Sequence, residues 1–242
     1  MRRSRRRTTS ATCRDGGPRR WGQRARAGWR AGLVLTAVVL LAGAFGLGLA
    51  ATCRPAWYAP AAIDYGRLRD DKAALAALED EISAALNAGQ EIRVQLDEAQ
   101  LNRWLVGRAE IWPGSITTPA GIEQPQIRLH NGQFRLGVIG SVGQWRAVVS
   151  VAGTVAVRDD EVTIQFAAAR LGAVPIPCGE ICERLGGPLA NHDRIRRGAD
   201  GRSVTFSNDW VWPNGKRRCR LREVSIGEGV VEMVLEPIQN PR

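Results

Sequence analysis

The chain is poor in histidine and in tyrosine and phenylalanine. It has two histidines, two tyrosines and four phenylalanines in 242 residues, and the histidines, His130 and His192, lie far apart. No Gly-x-Ser-x-Gly, no His-Glu-x-x-His and no phosphate-binding glycine loop occurs. No internal repeat is evident. Acidic residues are missing from one region in particular: residues 1–30 hold eleven arginines and a single acid, Asp15, which accounts for the whole net charge of +10. Residues 31–242 then carry 23 basic and 23 acidic groups. The excess charge therefore belongs to the tail, and specific nucleic-acid binding by the remainder is not expected.

The longest apolar run in the chain comes directly after the tail. Ala31 to Cys53 contains no charged residue and is closed by Arg54. About 20 apolar residues of helix cross a bilayer core, so the run predicts a transmembrane helix. The arginines orient it with the N-terminus in the cytoplasm and the rest of the chain outside, at the inner (cell) membrane. Each arginine close to anionic lipid adds about 1 kcal/mol of attraction. A cleaved signal peptide, or a lipid attached at Cys53, are the competing readings of the same run.

The expected organisation is a cytoplasmic disordered tail (1–30), the span (31–53), a juxtamembrane linker with Trp57 and Tyr58 at headgroup level (54–63) and an exported α+β domain (64–242). In that domain, Leu68, Leu75, Leu78, Ile82 and Leu86 recur at helical spacing before Gly89. "EIRVQL" alternates as a half-buried strand. Asp97 then caps a short helix, with Gln100 three residues on and Leu101, Trp104 and Leu105 on one face. Asn131-Gly132 marks a hairpin between Ile127/Leu129 and Phe134/Leu136/Val138. Further strands are expected over 145–157 and 161–171, a hairpin over 221–238 and a Pro-started helix near Cys178, followed by a polar loop from Asn191 to Gly201. Strands adjacent in sequence predict one curved, largely antiparallel sheet packed on helices.

Five cysteines remain. Cys178, Cys182 and Cys219 fall in the exported part, where any two of them are candidates for a disulfide; with His192 their spacing matches no usual zinc pattern. No metal and no cofactor is expected. Two basic clusters, with Arg194, Arg196 and Arg197 in one and Lys216, Arg217 and Arg218 in the other, are candidates for contact with headgroups or an anionic polymer.

Three motifs carry a family likeness. Leu96, Asp97, Glu98, Leu101, Asn102 and Leu105, then Pro125, Ile127, Gly132 and Leu136, then Gly172, Pro175 and Pro177 stand in an order that resembles the YpmS-like and LmeA-like membrane-anchored envelope proteins over residues 90–180. The resemblance implies a long curved sheet similar to tubular lipid-binding domains and a non-enzymatic role in lipid handling or envelope maintenance. In such a fold Leu101, Trp104, Leu105, Ile127, Phe134, Leu136 and Val138 would line an apolar groove. The expected partners are membrane lipids, with an envelope protein or polymer as the other candidate; a module that docks such a partner is the alternative function, and an envelope hydrolase the third.

Overall fold

The computed structural model describes residues 21–111, 122–142, 145–180, 195–212 and 217–238, with side chains in the first helix from Thr36 onward. Two compact units result, Met1–Gly46 and Leu47–Arg242. The helix α1, Trp21–Thr52, supplies the described part of the first unit and runs into the second. Among the described residues no helix is long and apolar enough to cross a membrane. The charge-free run begins at Ala31, so its first five side chains, 31–35, lie outside the described ones, as does the tail through residue 20.

The second unit starts from alternation. In β1, Ile92–Asp97, the residues Ile92, Val94 and Leu96 are buried while their neighbours face water, because successive side chains of a strand point to opposite faces. The helix α2, Leu68–Asn87, places Ile82 and Leu86 against that face. Leu86 is 1% exposed, and burying a leucine side chain contributes about 2 kcal/mol. Asp97 turns the strand into α3, Glu98–Val106, its carboxylate accepting from the Gln100 N–H at 2.6 Å. A one-turn helix α4, Arg108–Ile111, comes next.

Two antiparallel sheets are then assembled. β2 (Ile122–His130), β3 (Gln133–Val142), β4 (Trp145–Val157) and β5 (Glu161–Leu171) form a meander. Short strands β6 (Val174–Ile176), β7 (Ile195–Arg197) and β8 (Ser203–Ser207) extend it, with β6 and β8 both on β5. The other sheet has the order β1-β11-β10-β9, where β9 is Trp210–Val211, β10 Arg218–Ile226 and β11 Val230–Pro237. The turn between β2 and β3 uses Asn131 and Gly132 at φ 48° and 77°, the left-handed geometry a two-residue hairpin needs.

The expected α+β class and antiparallel pairing are present, but the single curved sheet is not. β1 pairs with β11, far along the chain, because α3 carries the chain away before β2 begins and leaves the β1 edge open to the C-terminal hairpin. A main core lies between α2 and the two sheets, joining Ile82, Leu86, Trp104, Val162, Cys219 and Leu235. A smaller one gathers Val151, Phe166, Ala169 and Cys178. The loop expected over 191–201 contains β7, and the helix expected near Cys178 begins at Cys178–Glu180 before passing outside the described residues.

Asn208 joins the sheets. Only 1% exposed, it donates to the carbonyls of Arg158 and Leu221 and accepts from the Leu221 N–H at 2.9 Å. One side chain thus links the β4–β5 turn to β10 and satisfies both backbone groups of Leu221, which burial would otherwise leave unpaired.

Candidate functional site

The capped helix α3 works on the free edge of β2. Asn102 donates to the Ile127 carbonyl at 2.9 Å and accepts from the Ile127 N–H at 2.7 Å, as a neighbouring strand would. One turn earlier, Glu98 accepts from the Leu129 N–H at 2.7 Å and pairs with Arg128. Residues i and i+4 share a helix face, so this spacing fits alternate residues of the strand. The adjoining hairpin tips are pinned as well: Gly132 N–H donates to the Ile226 carbonyl, Gly229 N–H to that of Leu129, and His130 Nδ1 lies 2.6 Å from Glu228. His130 Nε2 also meets Asn131, at 2.9 Å. Among the described residues, the cavity beside this histidine is lined by no serine, threonine or cysteine.

A second assembly sits on the face of the meander that carries Arg135 and Gly137. The chain leaving α1 is strapped across β3 and β4. Ala173 N–H donates to the Ala50 carbonyl at 2.8 Å, and Gly172, at φ 57°, comes so close to the helix end that an added Cβ would stand 2.3 Å from the Ala51 carbonyl oxygen. Trp57 and Tyr58 lie over Gly137, where a Cβ would meet both rings at 2.7 Å. Tyr58 is buried and donates from its hydroxyl to the Gln124 carbonyl at 2.5 Å. Burial pushes the Tyr58 hydroxyl pKa up, partly offset by the nearby Arg54. Gln126 donates to the Trp57 carbonyl at 3.4 Å.

Beneath that strap is a cavity of about 410 Å³. Register brings its walls together: Arg135 is opposite Ala152, which is opposite Ala168, while Arg170 is opposite Ser150, which is opposite Gly137. Arg135 and Arg170 therefore flank a floor of small residues, and Arg54 closes one side from the strap. The Arg54 guanidinium sits 5.3 Å from the Tyr58 ring centre and that of Arg135 sits 5.4 Å from Trp57, cation–π distances. Arg170 donates to the Ala173 carbonyl at 3.4 Å. No carboxylate lines this cavity among the described residues.

The groove candidates are not brought together. Trp104 is buried in the main core with Leu101 packed on it, whereas Phe134 and Leu136 pack against the smaller core. Leu105, Ile127 and Val138 are half-buried. The basic clusters are dispersed too: Arg196 pairs with Glu161, Arg218 with Asp209, Arg197 donates to the Gly179 carbonyl and Arg217 to that of Asn87. Arg194 and Lys216 lie outside the described residues. Cys178 and Cys219 are free thiols in different cores, so the pairing between them is not made; Cys182 and His192 lie outside the described residues. Burial raises the Cys219 thiol pKa, which keeps it protonated and inert. Sequence reasoning passed over Arg54, Arg135 and Arg170 because no two are neighbours; alternation along the strands was the signal that could have aligned the last two.

No protein-family model, no curated protein and no solved structure matches the chain.

Proposed function

We propose that this chain is a single-pass membrane protein of the cell envelope, N-terminus in the cytoplasm, whose exported domain is a non-catalytic module that interacts with lipid at the membrane surface. The observation that carries the reading is the strap. It fixes the end of the helix to the Gly172–Ala173 turn, so a domain held this way stays at the point where the chain leaves the bilayer. Further support comes from the helix itself. Val38, Val39, Leu40, Leu41, Phe45, Leu47 and Leu49 are each at least 54% exposed, and a helix apolar on all sides is suited to hydrocarbon rather than water. The eleven arginines before Ala31 favour the cytoplasmic side.

The non-catalytic part of the reading rests on how the polar groups are used. His130, Glu98 and Asn102 hold hairpin tips and a strand edge together, which is structural work. The same grip gives the Asp97–Leu105 motif a mechanical reason, and a kinship with YpmS-like and LmeA-like proteins is part of this proposal. Lipid contact is assigned to the membrane-proximal face of the meander rather than to an apolar groove.

The test is fractionation of cells producing the full chain. After alkaline carbonate extraction the protein should remain with the membranes, and protease added to sealed spheroplasts should remove the domain. Release by carbonate, or a domain protected from external protease, would refute the reading.

A further inference from the structure

We propose that the cavity under the strap, walled by Arg54, Arg135 and Arg170, is a binding site for a phosphate-bearing anion. This deepens the membrane reading, on which it rests only for the source of the phosphate. Nine arginines of the domain, Arg67, Arg93, Arg103, Arg128, Arg146, Arg196, Arg218, Arg220 and Arg222, each have a carboxylate beside them; Arg69, Arg158, Arg197, Arg202 and Arg217 have none among the described residues, but none of these five lines this cavity. The three around the cavity have none among the described residues, and the acids of the adjoining cavity, Glu98 and Glu228, are engaged by the Leu129 N–H with Arg128 and by His130.

Like charges converging on one space repel, and a guanidinium cannot shed its charge to relieve this. An anion in that space reverses the sign of the interaction. Planar guanidinium groups match phosphate oxygens two at a time. Two of the three are already positioned over aromatic rings, so less side-chain freedom is lost on binding. Ala152 and Ala168 leave room on the floor, and Ser150 adds a hydroxyl there. The nearby Ala173 N–H is occupied by the Ala50 carbonyl at the helix end, so the ligand would sit level with the point where the helix emerges. Phospholipid headgroups occupy that level of a bilayer; free phosphate has the same chemistry.

The test uses the full chain in detergent and native mass spectrometry, titrated separately with phosphatidylglycerol, phosphatidylcholine and inorganic phosphate. One phosphatidylglycerol should be retained per chain. Arg135→Gln/Arg170→Gln should weaken it about a hundredfold, roughly tenfold for each charge-assisted contact removed. Arg69→Gln/Arg158→Gln, with the same loss of charge on other surfaces, should bind like the native chain. Ala168→Trp, which fills the floor and leaves the charges in place, should also abolish retention. If inorganic phosphate displaces the lipid, the occupant is free phosphate; if it does not, the occupant is the headgroup. The proposal fails if the arginine pair variant and Ala168→Trp, both folded by circular dichroism, bind like the native chain, or if no phosphate compound binds. Carbonate extraction of the same proteins reports on the membrane reading independently.

Discussion

Two regions on the meander use polar groups in opposite ways. Where α3 and the C-terminal hairpin meet the β2 edge, the backbone groups of that edge are matched: Asn102 serves both of Ile127, Glu98 the Leu129 N–H, and the Gly229 N–H the Leu129 carbonyl. Under the strap, three guanidinium groups meet two aromatic rings, one carbonyl and an open cavity. Matched groups specify one arrangement of the chain and leave nothing over. Unmatched charges of one sign cost stability unless something else is bound, and that difference separates architecture from a place of action.

The contrast is open to attack on the matched side first. Asn208→Ala strands the buried N–H and carbonyl of Leu221, and unfolding in urea should show a loss of about 3 kcal/mol. Asn102→Ala should cost about 1–2 kcal/mol, less because the site is half-buried; it should also speed hydrogen exchange at Ile127 and Leu129, along the edge it guards. On the unmatched side, Arg135→Gln/Arg170→Gln should leave stability within about 0.5 kcal/mol of native or raise it. A large loss there would mean that the guanidinium groups are structural and would erase the distinction.

The smallest effect concerns Asp200. This exposed carboxylate accepts from the Arg202 N–H, from Gln165 and from Ser203, which lowers its pKa from 3.8 to about 2. A depressed folded-state value means that its stabilising contribution is present above pH 3.8 and is lost as the pH falls toward 2. Asp200→Asn should flatten the stability-against-pH curve in that window and leave its shape at neutral pH unchanged. Solvent screening keeps the step small.

Local chemistry made much of the fold readable. The alternation in Ile92–Asp97, the cap at Asp97, the Asn131-Gly132 turn and the long strands ending at Val157 and Leu171 all stand where the residue patterns put them. Long-range choices were not readable. Nothing in "EIRVQL" says that its partner is the last strand, since any alternating strand offers the same edge. Strands of two or three residues, such as β6, β7 and β9, are too short to show a period. The charge runs attracted notice because arginines adjacent in sequence are easy to see, yet Arg196 is neutralised by Glu161 two strands away and Arg218 by Asp209, just before β9. Arg54, Arg135 and Arg170 become neighbours only through register and through the strap, and the strap in turn depends on the missing side chains of Gly137 and Gly172.

The most direct measurement places the meander against a bilayer. The helix end docks beside Ala173, whose N–H donates to the Ala50 carbonyl. A fluorophore at Ala173 would be read in nanodiscs whose headgroups carry a nitroxide quencher. The account predicts strong quenching at Ala173. No quenching there would contradict it.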